Sequence, residues 1–326
     1  MSKMSVLDTL KAIKEIKDFF ERDLSQKLNL TRVSAPLFVF KSSGLNDNLN
    51  GIERPVDFDV LNIPNERVEI VQSLAKWKRM ALGKYAFEEG HGLYTDMNAI
   101  RRDDDIDPTH SIYVDQWDWE MVISKKDRTQ NKLEETVKKI FSCLKDLEDM
   151  IVGKYSFLER YLPQDITIID SQALEDLYPD LSADDRENEF CKKHGAVFVE
   201  KIGNALKGGK PHGTRAPDYD DWQLNGDILL WFPPLNKAME ISSMGIRVDE
   251  DIIIKQLEAS NNMDRSKLPY HQDIINARLP YTIGGGIGQS RLCMYFLNKL
   301  HIGEVQSSVW PQSTIDECQK RNIKLL

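Results

Sequence analysis

The 326-residue chain has only four cysteines, and Cys143, Cys191, Cys293 and Cys318 show no C-x-x-C spacing. Nothing in that pattern supports a redox motif, and the four read as buried or incidental thiols of a reducing compartment. No apolar run approaches the length of a membrane span, and the first segment interleaves Lys11, Lys14, Glu15, Lys17 and Asp18 with apolar residues. Neither a signal peptide nor a membrane partner is expected, and the expected location is cytoplasmic. A basic excess is missing too. The 43 Lys and Arg against 52 Asp and Glu leave a net charge of -9, which argues against nucleic acid as the main partner, because phosphate backbones demand a basic footprint. Internal repeats and long linkers are absent.

Two nucleotide motifs are also absent, although glycines suggest them. The run Thr282-Ile283-Gly284-Gly285-Gly286-Ile287-Gly288-Gln289-Ser290-Arg291-Leu292 puts Arg291 where a dinucleotide fingerprint needs its third glycine, and too little chain follows to complete a doubly wound sheet. Gly209-Lys210 is followed by Pro211, so it is no phosphate loop of the Walker kind. What remains is a strand closed by glycines, then a helix beginning near Ile287 whose free N–H groups point at a ligand, with an arginine that needs an anion. A plain strand-to-helix turn with a surface arginine fits the glycines equally well.

With 41% apolar content the chain can bury a large core, as one big domain or two modest ones. Val6, Leu7, Leu10, Ile13, Phe20 and Leu24 recur at helical spacing to about Leu28. Residues 31–40 read as a strand interrupted by Pro36, which implies an edge or a bulge. Strands are expected at 56–61 and 67–71, a helix through 75–80, further helices at 132–152, 171–177 and 184–194, and strands at 166–170, 227–232 and 239–248. Without regular βαβ alternation this predicts an α+β class with an antiparallel sheet flanked by helices.

Residues 110–122 form an unusual strand. Period two puts Ile112, Val114, Gln116, Asp118 and Glu120 on one face and Tyr113, Asp115, Trp117 and Trp119 on the other. The first face passes from apolar to polar, as a pocket floor does, whereas a merely solvated face stays polar. The loop 208–222 carries Asp218-Tyr219-Asp220-Asp221; such acidic loops are usually solvated turns, yet binding residues also gather there. In Glu240-Ile241-Ser242-Ser243 the glutamate and the second serine share no face of a regular strand. A bulge would bring them together as hard oxygen ligands for Mg²⁺ on a nucleotide. Arg101-Arg102-Asp103-Asp104-Asp105 reads as a charged hairpin loop, or as a loop folded over a nucleotide with one arginine on its α-phosphate.

Together these segments resemble class II aminoacyl-tRNA synthetases. A helix leads into a proline-containing strand, an arginine–acid loop precedes a polar strand, and a glycine-rich strand ends in a helix bearing Arg291. More specifically, Val71-Gln72-Ser73-Leu74-Ala75-Lys76-Trp77-Lys78-Arg79, Tyr113-Val114-Asp115-Gln116-Trp117-Asp118-Trp119-Glu120, Arg215-Ala216-Pro217-Asp218-Tyr219-Asp220-Asp221-Trp222 and the run from Thr282 to Leu292 resemble the ammonia-dependent asparagine synthetases, the aspartate–ammonia ligases, from about Ser5 onward.

The resemblance implies a single class II synthetase-like catalytic domain over residues 1–326, without an anticodon-binding module. It implies ATP-dependent synthesis of asparagine from aspartate and ammonia through an aspartyl-adenylate, with release of AMP and pyrophosphate, by a homodimer. Arg101 is then expected on the α-phosphate and Arg291 on the ATP phosphates, with Glu240 and Ser243 at Mg²⁺. Asp47, Ser73, Lys78, Gln116, Asp118 and Asp220 are expected to line the amino-acid pocket, with Arg101, Arg291, Lys78 and Gln116 carrying catalysis. Acids suit the substrate's ammonium and Lys78 suits a carboxylate. One departure stands out: only Gln223-Leu224 separates Trp222 from Asn225, where the family leads one to expect a longer loop. The alternatives are an aspartyl- or asparaginyl-tRNA synthetase paralogue and a non-catalytic class II-like binding protein. Glutamine-dependent synthesis would need an N-terminal nucleophilic cysteine, and Ser2 follows Met1.

Overall fold

A computed structural model describes residues 4–49 and 51–326; Ser2, considered above as the place of a nucleophile, lies outside them. The first half runs α1 (Val6–Lys27), β1 (Leu30–Arg32), β2 (Phe38–Phe40), β3 (Asp57–Val60), β4 (Ile63–Ile70), α2 (Ala75–Lys84), β5 (Gly92–Ile100), β6 (Tyr113–Val122) and α3 (Gln130–Lys154). Then follow β7 (Thr167–Asp170), α4 (Ser171–Leu177), α5 (Ala183–His194), β8 (Ala196–Glu200), β9 (Asp220–Phe232) and β10 (Lys237–Arg247). The chain continues through α6 (Ile252–Ala259), α7 (Pro269–Ile275), β11 (Thr282–Gly288), α8 (Gln289–Phe296) and α9 (Gln312–Lys320).

Eight strands form one sheet in the order β1-β5-β6-β11-β10-β9-β8-β7, antiparallel except where β1 meets β5 and β7 meets β8. A small second sheet runs β2-β4-β3. The expected α+β class with an antiparallel sheet is therefore what the chain builds. The strand read across residues 31–40 is two strands in two sheets, and Pro36, which has no N–H for a ladder, lies between them. Strands β5 and β8, absent from the sequence reading, complete the large sheet. Polar Thr95, Asp96 and Asn98 interrupt the apolar signal of β5.

Ser5 caps α1 by accepting from the Asp8 N–H. Its buried stripe is Ala12, Ile16, Phe20 and Leu24, four residues apart, whereas Val6, Leu7 and Leu10, which the sequence placed on the packed face, are exposed. The stripe meets the sheet at Trp117, whose ring centroid lies 5.0 Å from that of Phe20. Trp117 and Trp119 are fully buried in a core shared with α3 and α8. The alternation read from the sequence is thus realised: the tryptophan face of β6 holds the core, leaving Gln116 and Asp118 on the opposite face.

Candidate active site

Strand β10 departs from regular pairing between Glu240 and Ser242. Glu240 lies opposite Leu229 and Ser242 opposite Ile228, so Ile241 is an extra residue in the ladder. An unpaired residue shifts the face of everything beyond it. Glu240 and Ser243 therefore both line one cavity, while Ile241 and Ser242 are buried. Asp227 stands opposite Ser243 on β9 and lines the same cavity.

Two cavities open on this face of the sheet, of about 370 Å³ and 420 Å³. Arg101, Asp104, Gln116, Glu240 and Gly286 line both, so the two form one cleft. The first holds Arg291, and the second holds Asp47, Ser73, Lys78, Asp118, Asp220 and Ser243. All ten residues singled out in the sequence meet in this cleft, although they span Asp47 to Arg291.

Eight of the ten are held by a nameable side-chain contact. The Ser73 hydroxyl donates to Asp47 at 2.8 Å. Lys78, on α2 and 1% exposed, donates to the Gly285 carbonyl at 2.7 Å and lies 3.4 Å from Asp118. Burial lowers the Lys78 pKa, and Asp118 and Glu120 oppose that shift. Arg101 follows β5, its N–H bonded to the Ile112 carbonyl and its Nε to the Gln72 carbonyl at 3.2 Å. In the same loop Arg102 is exposed and Asp103 pairs with Arg54, so Arg101 is the arginine that enters the cleft. Arg291 donates to the Glu240 carbonyl at 3.0 Å and approaches its carboxylate at 3.7 Å. Desolvation raises the Glu240 pKa, but Arg291, Arg215 and Arg101 outweigh it and hold the carboxyl below its usual value.

The glycine run has a different role from the one first read. All of Thr282–Gly288 is strand, flanked by β6 and β10, and the helix starts only at Gln289. Of the N–H groups expected to face a ligand at the start of this helix, that of Ser290 is committed within the protein, donating to Asp115 at 3.0 Å. The glycines instead make room. A Cβ on Gly286 would lie 2.7 Å from the Asp118 carboxylate and overlap Gln116 Oε1.

The acidic loop is likewise no solvated turn. Asp218 is fully buried against Lys76 at 2.7 Å and His271 at 2.8 Å. Asp221 pairs with Arg128 at 2.9 Å. Asp220 pairs with Arg247 because β9 bulges: Asn225 faces Gly245, yet Asp220 faces Arg247. The short stretch Gln223-Leu224 lies inside that bulge of β9, where the sequence reading looked for a longer loop. Burial raises the Asp220 pKa against the pull of Arg247.

Sequence reasoning gave no site role to Arg215, Asp227 or Arg247, and placed Glu120 only on the face read as a pocket floor. Arg215 pairs with Asp227, and both line the second cavity. One Asp227 oxygen is buried without a partner. Burial pushes this carboxyl up to about 6, with Arg215 opposing and Glu240 adding to the rise. The spacing of hard ligands along β9 and β10 was the available signal, but the pairing register that aligns them was not. Among the described residues no group of three or more His, Cys, Asp or Glu gathers as a ready cage for a metal. Two carboxylates and a hydroxyl, with one carboxylate oxygen unpartnered, fit an ion such as Mg²⁺ that takes few protein ligands and completes its shell with phosphate and water.

This sheet, with a polar cleft between Arg101 and Arg291, defines the fold of a class II synthetase catalytic domain. The asparaginyl-tRNA synthetase of Entamoeba histolytica in complex with asparaginyl-adenylate superposes with a TM-score of 0.63 at 16% identity, over 92% of this chain and 66% of that one. At that identity the likeness speaks for the fold. The chain belongs to the AsnA family, aspartate-ammonia ligase, which it matches over residues 7–322. It is 59% identical over 323 residues to an aspartate–ammonia ligase of Clostridium perfringens, covering 99% of this chain and 96% of that one. It is 58% identical over 326 residues to that of Fusobacterium nucleatum, covering 100% and 99%.

Proposed function

We propose that this chain makes asparagine from aspartate and ammonia at the expense of ATP, through an aspartyl-adenylate, with AMP and pyrophosphate as the other products. Family membership supports the substrates. The observation that carries the mechanism is the continuity of two cavities at Arg101, Gln116 and Glu240, which suits transfer between a nucleotide on one side and an amino acid on the other.

In this reading ATP occupies the cavity of Arg291, with Arg101 at the junction and on the α-phosphate. Aspartate lies in the second cavity, its ammonium toward the carboxylates of Asp47, Asp118 and Asp220 and a carboxylate toward Lys78, with Ser73 and Gln116 completing the pocket. Its side-chain carboxylate attacks the α-phosphorus, and the positive charge of Arg101 stabilises the charge that builds there. A carboxylate is a poor acyl donor because oxide is a poor leaving group, whereas AMP leaves readily. No protein nucleophile is needed, so catalysis rests on positioning and charge. Glu240 and Ser243, joined by Asp227, would hold Mg²⁺, which when bound supplies charge neutralisation to the phosphates.

The reading extends to a cytoplasmic homodimer without a nucleic-acid partner. Exposed Leu7 and Leu10 on α1, with Leu37, Phe38 and Phe40 around β2, supply apolar surface for a second copy, and the net charge of -9 disfavours tRNA. No helix among the described residues is long and apolar enough to cross a membrane.

A product assay tests the proposal. ATP should yield AMP and pyrophosphate only when aspartate is present, and asparagine should appear once ammonium is added. Formation of ADP, or transfer of aspartate to tRNA, would sink it.

A further inference from the structure

One ionisable pair on the wall of the second cavity takes no part in the steps above. His212, in the loop between β8 and β9, is 6% exposed, and its Nε2 lies 2.8 Å from Glu187 Oε1 on α5. Both side chains line the cavity that also holds Lys78, Asp220 and Glu240. His212 Nδ1 is buried without a partner. A buried N–H left unbonded is costly, so the ring proton sits on Nε2 and is donated to Glu187. The Glu187 side chain is 22% exposed, which leaves its second oxygen for the cavity it lines.

Four of the other carboxylates there are paired with permanent cations or hydrogen-bonded to neighbours. Asp118 lies beside Lys78, Asp220 pairs with Arg247, and Asp227 pairs with Arg215. Asp47 accepts from Ser73 and from the Leu49 N–H. Glu187 accepts instead from the His212 ring, which orients its carboxylate. The amide-forming step needs a proton acceptor. Ammonia at neutral pH is mostly ammonium, which has no lone pair for attack until a proton leaves.

We propose that Glu187, oriented by His212, binds the incoming ammonium and accepts that proton, Glu187 acting as a catalytic residue and His212 as its positioning residue. This rests on the aspartyl-adenylate reading above. Ammonium gives one proton to the Glu187 carboxylate, and the freed lone pair forms the C–N bond at the aspartyl acyl carbon. The acyl C–O bond to phosphorus then breaks, AMP leaves with that electron pair, and the nitrogen sheds its second proton to water. Asp184 on the same helix, Arg215 and Asp227 are charged groups sharing the cavity wall.

The test compares Glu187→Gln and His212→Asn with the unsubstituted enzyme in three assays: aspartate-dependent ATP–pyrophosphate exchange, asparagine formation from ammonium, and aspartyl hydroxamate formation from hydroxylamine. Hydroxylamine is uncharged at neutral pH and attacks without prior deprotonation. For Glu187→Gln, kcat/KM for ammonium should fall on the order of 100-fold, while exchange and hydroxamate formation persist; His212→Asn should show the same split more weakly. Glu187→Asp, which keeps the carboxylate, should recover part of the ammonium activity. If all three activities fall together, the pair is a structural pin; if ammonium use is unchanged, the pair is a bystander. Either outcome overturns the proposal. Absence of exchange in the unsubstituted enzyme would instead overturn the adenylate reading, and this proposal with it.

Discussion

Arg247 on β10 and Glu120 on β6 are separated by a whole strand, yet the arginine donates to both oxygens of the glutamate across β11, with Nη2 at 2.7 Å and Nε at 2.9 Å. Gly284 on β11 is the residue they bridge. Thr282 adds a bond to Glu120 at 2.7 Å, and Asp220 takes the other arm of the guanidinium. Burial alone disfavours both charges, but each partner reverses that: Glu120 is held below its usual range and Arg247 well above its own. The wall of the second cavity at Asp220 and Arg247 is thus part of a buried ion network.

Breaking this network by one partner should be costly. Glu120 and Arg247 are 0% and 2% exposed, so Glu120→Ala leaves a buried guanidinium short of its main partner and should lower unfolding free energy by about 3–5 kcal/mol. Urea denaturation of the variant beside the parent measures it. A loss under about 1 kcal/mol, the range of surface pairs, would show that the network is solvated.

Gly284→Ala probes the same place by volume. A Cβ there would lie 2.7 Å from Arg247 Nη2 and overlap the Glu120 carboxylate. The variant should lose roughly 1–3 kcal/mol through overpacking and bind aspartate more weakly, because Asp220 shares the guanidinium. Unaltered aspartate affinity by calorimetry would disconnect the network from the pocket.

Arg101→Ala should fold normally, since among the described residues the side chain makes one long bond, to a carbonyl. Its aspartate-dependent pyrophosphate exchange should fall about 100- to 1000-fold, the usual cost of removing a charge-stabilising donor. Unchanged exchange would refute its role on the α-phosphate.

The thiols give a pH prediction. Burial pushes Cys191 and Cys293 up to about 12, and all four cysteines are buried. The thiolate is the reactive form, so an aromatic disulfide reagent at pH 8 should titrate no thiol in the native protein and all four in denaturant. Above about pH 9, the ordinary value, the unfolded chain releases thiol protons that the native state keeps. Stability should therefore decline as pH rises from 9 toward 12, and replacing Cys191 and Cys293 by alanine should flatten that decline in melting curves.

Much of the site was legible because strands sort residues by parity. Gln116 and Asp118 could be assigned to a pocket face opposite Trp117 and Trp119 from period two alone. Glu240 and Ser243 could be suspected, since hard ligands three apart in a strand invite a bulge. Asp218 could not be told from a surface acid, because its partners Lys76 and His271 lie far away in sequence. Strand β5 was hidden by its polar residues, so the support beneath Arg101 was hidden too.

The sequence by itself determined the α+β class, the face of β6 that lines the cleft, the separate strings that mark the family, and the ten residues to watch. Local pattern suffices there because helix and strand periods, and the chemical character of side chains, are properties of neighbours along the chain. Tertiary structure decided how those residues meet: the extra residue Ile241, the bulge that delivers Asp220 to Arg247, the glycines of β11 as clearance for side chains from β6 and β10, and the joining of Glu187 to His212. Each depends on register between strands or packing between distant segments, where the free energy lies in contacts that no local window contains.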